Sequence, residues 1–133
     1  RRPHTVPLSR QVLDALEQLQ KMTGAYPLLF PGRNDRTKPR SNMAFNMALR
    51  RMGYAGRQTG HGFRHLLSTE LNGRGYNRDW IERQLAHGDA DEIRDTYNHA
   101  TYLEQRREMM QEWADSVDAL PAGTNVVSIK RKA

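Results

Sequence analysis

A mainly α-helical fold is predicted by the sequence, with a short strand near the N-terminus and a second strand in the C-terminal tail. Three observations carry that prediction. Apolar residues recur at the 3.6-residue period in successive segments; glycines, prolines and capping Ser or Asn residues fall between those segments; and β-branched stretches are confined to residues 4–8 and 125–129. The 133 residues are about one domain long, enough for a modest core.

His4-Thr5-Val6-Pro7-Leu8 is short, β-branched and interrupted by proline, as expected of the last strand of a small sheet whose other strands lie upstream. Ser9 is a natural N-cap for a first helix with Val12, Leu13, Leu16, Leu19 and Met22 on one stripe and Gly24 as its stop. Residues 25–40, with three prolines and a glycine, read as a loop with a buried Leu28-Leu29-Phe30 anchor and a basic tip of Arg33, Arg36, Lys38 and Arg40. These four cations either touch phosphates or cover a solvated loop. Ser41 caps a second helix that sends Met43, Phe45, Met47 and Leu49 to the core before Gly53. A linker, residues 53–60, leads to a third helix ending near Gly73 or Gly75. Asn77 opens a fourth, with Trp80, Ile81 and Leu85 buried and His87-Gly88 at its end. After the acidic turn 89–92, a short helix is expected around Ile93 and Tyr97. A long last helix follows from Tyr102 to Leu120, with Leu103, Met110, Trp113, Ala114 and Val117 inward and Pro121 as its stop.

Composition narrows the function classes. The chain has no cysteine, which excludes disulfides, thiolate zinc sites and a Cys nucleophile. No apolar run approaches the ~20 residues that span a bilayer, and the start Arg1-Arg2-Pro3-His4 lacks a signal peptide's apolar stretch; a cytoplasmic protein without a membrane partner is expected. Lys and Arg outnumber Asp and Glu by 21 to 15, and a pI near 10.1 favours a polyanionic partner such as nucleic acid.

The chemistry concentrates in His61-Gly62-Phe63-Arg64-His65. Histidines four apart share a helix face, as in zinc proteases, but those enzymes place a glutamate where Gly62 stands, and no spacing marks a third ligand. Arg64 shares the face and would repel a dication. An arginine beside histidines suits an oxyanion instead: the guanidinium grips two phosphate oxygens, and imidazole donates a hydrogen bond or exchanges a proton near neutrality. The bland alternative has His61 capping its helix, Arg64 paired with an acid and His65 packed in the core.

Farther on, His87 follows Arg64 by 23 residues and Tyr97 follows His87 by 10. HGFRH, LAHGD and RDTYNHATY, in this order and spacing, resemble the C-terminal part of a tyrosine recombinase catalytic domain, particularly that of phage-type integrases; the likeness extends from RRPHTVPLS through LLFPG to YLEQRREMMQEWAD. The resemblance implies a mixed α+β catalytic domain of which residues 1–120 are the C-terminal part, incomplete at its N-terminus, with residues 121–133 as a tail. It implies Tyr97 as nucleophile, Arg64 and His61 as the family's HxxR pair, His87 as the later histidine and His65 as structural support. Tyr102, also near the domain's end, is the competing nucleophile but better matches a packing tyrosine at the start of the last helix.

The implied reaction is site-specific recombination of a mobile element at double-stranded DNA attachment sites, by a tetramer in the full-length protein, through a 3'-phosphotyrosine intermediate. Neither metal nor other cofactor is implied, because the covalent link conserves the energy of the broken phosphodiester. The family's first catalytic arginine and β-hairpin lysine have no counterpart here; Arg1 and Arg2 lie near the lysine's expected place, but a guanidinium is a poor proton donor. The 133 residues alone are therefore expected to be inactive. The tail implies a strand docked in its own subunit or a neighbour's, or else a frayed end. The competing class is a non-catalytic helical DNA-binding module, such as a helix-turn-helix regulator.

Overall fold

The computed structural model describes residues 4–86 and 102–120 of the chain. The expected short helix near Tyr97, the position of His87 and the tail strand at 125–129 lie outside these residues. The described part is mainly helical, as predicted: α1 (Arg10–Thr23), α2 (Met43–Leu49), α3 (Gly60–Gly73), α4 (Arg78–Leu85) and α5 (Leu103–Ala119). The chain divides into two units, Gln11–His65 on one side and Arg1–Arg10 with Leu66–Ala133 on the other, so the boundary falls within α3.

The unit containing Leu66–Ala133 holds the apolar core. Leu71, Ile81 and Met109 are 0% exposed, Leu85 is buried beside them, and Leu67, Tyr76, Trp80, Met110 and Trp113 pack around this centre. The turn between α3 and α4 explains how the core closes. Gly75 takes a left-handed φ of 79°, Tyr76 N–H reaches back to the Leu71 carbonyl at 3.2 Å, and Gly75 N–H reaches the Asn72 carbonyl at 3.0 Å. This Schellman arrangement satisfies the last carbonyls of α3 and turns the chain sharply into α4. Asn77 then caps α4 as predicted, its Oδ1 accepting from Asp79 N–H at 2.8 Å.

The same turn is fastened to α5. The Arg74 guanidinium lies 5.3 Å from the Trp113 ring centroid and donates to Ser116 Oγ at 2.9 Å, while the Tyr76 hydroxyl donates to the Glu112 carboxylate. Burial pushes the Tyr76 pKa up, and the carboxylate beside it adds to the rise.

Two features of this unit depart from expectation, the first of them in α5. The inward stripe of α5 contains Arg106 and Met109, with Met110 and Trp113 at the margin, while Val117 is exposed. Arg106 is 1% exposed, donating from Nε to Gln84 Oε1 at 3.0 Å and from Nη2 to the Thr5 carbonyl at 2.8 Å. Burial, with Arg83 nearby, draws its pKa down. The second departure concerns residues 4–8, which form no strand. A strand requires a paired neighbour, and among the described residues none is placed to pair with them. The segment is held instead by Arg106 at Thr5 and by Arg10, whose N–H donates to Gln111 Oε1 at 3.0 Å and whose guanidinium meets Asp115 at 3.3 Å.

In Gln11–His65 the expected core is not formed. Among the described residues of this unit only Pro31 is buried; Val12, Leu13 and Met22 of α1 are exposed, as are Met43 (61%), Phe45 and Met47 of α2, with Leu49 half-buried. The predicted anchor at 28–30 is likewise corrected: Leu29 and Phe30 are exposed, and Phe30 meets Phe45 edge-to-face at 5.2 Å. Periodicity states which side chains share a face, not whether another element covers it, and α2 is only seven residues long. Ser41 keeps its predicted place, its Oγ accepting from Met43 N–H at 3.1 Å. Beyond α2 the helix widens into a π-type turn, Arg50–Tyr54, in which Gly53 adopts a φ of 89° that a side chain would strain.

Core position and helix face can be separated by substitution. Met109→Ala is expected to cost about 2–5 kcal/mol, whereas Met43→Ala should stay within about 0.5 kcal/mol, both read from urea unfolding midpoints.

Candidate active site

The stretch His61-Gly62-Phe63-Arg64-His65 forms the first turns of α3, and local hydrogen bonds explain why the helix starts there. Thr59 Oγ1 accepts from Gly62 N–H at 2.9 Å, and Asn46 Oδ1, from α2, accepts from Gly60 N–H at 2.9 Å. Two of the otherwise unsatisfied donors of the helix end are thereby occupied by side chains. Gly62 has a local reason as well. A Cβ there would collide with the Gln58 side-chain oxygen, which folds over the first turn to accept from Thr59 N–H at 2.9 Å.

His61 and His65 are exposed one turn apart, their rings edge-to-face with centroids 4.4 Å apart and planes at 86°. Arg64, half-buried, follows His61 by three residues. His65 is thus not a core residue; its ring lies against that of His61. The structure brings together on one helix the three groups expected there, an imidazole pair and a guanidinium. Such a set can hold a phosphate bidentately and pass a proton to or from a bound oxygen. Among the described residues no three His, Asp or Glu side chains are grouped so as to hold a metal ion. His87 and Tyr97, the other two expected catalytic residues, lie outside the described residues.

The basic loop is a small hairpin. Pro31 and Pro39 bridge antiparallel, Gly32 N–H donates to the Lys38 carbonyl at 2.7 Å, and Arg40 N–H donates to the Phe30 carbonyl at 2.8 Å. At its tip Asp35 accepts from the Thr37 hydroxyl at 2.6 Å and from Thr37 N–H at 3.0 Å, and it pairs with Lys38 at 3.4 Å; the Thr37 bonds hold its pKa below the usual carboxylate range. Arg33, Arg36, Lys38 and Arg40 are all exposed, with Arg36 over the Tyr26 ring at 5.3 Å and Arg40 Nε directed to the Pro31 carbonyl at 3.4 Å. The loop therefore presents cations on an ordered turn.

Sequence reasoning missed two positioning residues. Thr59 carried a readable signal, a hydroxyl residue just before the helical stretch. Asn46 carried none, because its partner lies 14 residues away and only folding brings them together. It also missed how charge is partitioned. Residues 11–65 hold nine Lys and Arg against three Asp and Glu, while the remaining residues hold twelve of each, so the whole net charge of +6 belongs to the unit carrying the imidazole–guanidinium group.

The chain belongs to the phage integrase family, whose model matches residues 1–104. It is 50% identical to the prophage integrase IntZ of Escherichia coli K12 over 124 residues, covering 92% of this chain and 30% of that protein. It is 45% identical to the integrase of Shigella phage Sf6 over 119 residues (89% and 31%), and 45% identical to that of enterobacteria phage P4 over 119 residues (86% and 27%). The chain thus spans less than a third of the length of these relatives. No solved structure matches it. No helix among the described residues is long and apolar enough to cross a membrane.

The cap from α2 is testable. Asn46→Ala should lower stability by about 1 kcal/mol in thermal unfolding, with Asn46→Asp, which keeps the acceptor, close to the parent.

Proposed function

We propose that the reading frame containing these residues encodes a recombinase that integrates and excises a mobile element at double-stranded DNA attachment sites. The observation that carries the proposal is the pair of exposed His61 and half-buried Arg64 at the start of α3, in the unit that holds the chain's net positive charge. The family membership and the order of the His87 and Tyr97 motifs support it.

In the proposed reaction the Tyr97 hydroxyl oxygen attacks a backbone phosphorus. A P–O bond forms to the phenol and the bond to the 5'-oxygen breaks; that oxygen takes up a proton, the role the resemblance gives to the family's hairpin lysine, so the DNA leaves as a 5'-hydroxyl while its 3'-phosphate stays on the enzyme. A phenol with a pKa near 10 is largely protonated at neutrality, so its proton must be drawn off during attack. His61 takes this role. Negative charge gathers on the nonbridging oxygens, where Arg64 offers two parallel donors and His87 a third. Phenolate is also an adequate leaving group, so the 5'-hydroxyl of another strand reverses the step without a nucleotide or metal cofactor. The hairpin cations Arg33, Arg36, Lys38 and Arg40 hold the duplex by its phosphates, which sets register but not sequence.

The assembly on DNA is proposed to be a tetramer, acting in the cytoplasm at the nucleoid. We further infer that these 133 residues do not cleave DNA by themselves. The family's first arginine and hairpin lysine are not among them, and each missing transition-state donor costs roughly 3 kcal/mol.

Tyr97→Phe in the full reading frame should abolish covalent protein–DNA adduct on a nicked suicide substrate while leaving noncovalent binding intact; Tyr102→Phe should still form adduct. Arg64→Lys should lower the adduct rate by about a hundredfold or more, and EDTA should leave the parent unaffected. Adduct that survives in Tyr97→Phe, or activity lost to EDTA and restored by zinc, would contradict the proposal.

A further inference from the structure

Arg106 is the largest side chain buried in the described structure, and none of the chemistry above uses it. Burying a guanidinium is costly, and an apolar side chain of similar length could fill the same space at less cost. What an apolar residue cannot do is direct rigid, planar donors at fixed acceptors on separate segments. Arg106 does this at Gln84 Oε1 near the end of α4, at 3.0 Å, and at the Thr5 carbonyl of the N-terminal segment, at 2.8 Å.

The location of this clasp matters. Gln84 stands two residues before Ala86, which ends α4, and Arg106 stands four after Tyr102, which begins α5 and whose carbonyl accepts from Arg106 N–H at 2.9 Å. Ala86 and Tyr102 have φ values of 48° and 46°, the two non-glycine residues with positive φ among those described. Left-handed backbone at a residue with a Cβ is unfavourable, and it persists where surrounding contacts over-determine it. The chain thus leaves α4 and enters α5 through two strained residues, with the Arg106–Gln84 bond joining the helix ends on which they sit. By sequence, His87 and Tyr97 both fall between those two points.

We propose that Arg106 is a positioning residue for strand cleavage, its guanidinium setting the separation of the two helix ends between which the nucleophile-bearing residues run. The inference rests on the functional reading above. In-line attack at phosphorus depends steeply on where the attacking oxygen is held, so an error of about 1 Å in an anchor can cost on the order of a hundredfold in rate. Noncovalent binding, carried by many phosphate contacts, is far less sensitive.

The test uses the full reading frame and two readouts: the rate of adduct formation at saturating nicked duplex, and the Kd for an uncleavable duplex. Arg106→Met should lower the saturated rate by about tenfold or more with Kd unchanged. Arg106→Lys, which keeps a donor but not the fork, should recover part of that rate, and Gln84→Leu, which removes one acceptor and leaves the arginine, should give an intermediate loss. If Arg106→Met fails to fold, Gln84→Leu decides the matter. A saturated rate equal to the parent's in these folded variants, or a loss confined to Kd, overturns the inference while leaving the functional reading intact. Absence of adduct from the parent, or its persistence in Tyr97→Phe, overturns that reading, and the positioning role falls with it.

Discussion

The burial of Leu71 against Ile81, Leu85 and Met109 is the contact on which the unit containing Leu66–Ala133 depends. Leu71 belongs to the last turn and a half of α3, and the His61–Arg64 pair to its first two turns. A single helix therefore bears both the apolar anchor and the imidazole–guanidinium group. At its far end the Schellman turn satisfies the closing carbonyls; at its near end Thr59 and Asn46 satisfy opening amides. Both ends of α3 are thus satisfied by neighbouring groups within their own units.

Much of this was legible in the sequence because the signals were local. Asn77 caps α4, Ser41 precedes α2, the third helix closes at Gly73 with Gly75 left-handed, and Ile81 and Leu85 are buried, each from residue type and spacing within one or two turns. The misses are non-local. Arg106 reads as a solvent residue until Thr5 and Gln84 are seen to surround it, and its inclusion shifts the inward face of α5 to Met109. The apolar stripes of α1 and α2 are real, but a stripe does not announce its cover. The strand expected at residues 4–8 needed a neighbour that no local pattern could supply. In the site, the shared helix of His61, Arg64 and His65 followed from spacing, whereas the packing of the two imidazoles and the cap from Asn46 required the fold.

Charge links the fold to its proposed partner. The two units differ in electrostatics more than in secondary structure: one is neutral in sum, the other carries all of the excess cations. Near a polyanion, such a distribution orients the basic unit toward the phosphates and makes association sensitive to salt. The exposed hairpin cations and the HxxRH turns belong to that same unit.

The central claim is that Tyr97 becomes covalently joined to the 3'-phosphate of cleaved DNA. The most direct measurement traps the adduct of the full reading frame on a nicked substrate, digests protein and DNA, and locates the nucleotide remnant by tandem mass spectrometry. The account predicts a phosphonucleotide on the Tyr97 oxygen, linked through its 3'-phosphate. A remnant on Tyr102 or any other residue, or a 5' linkage, would contradict it.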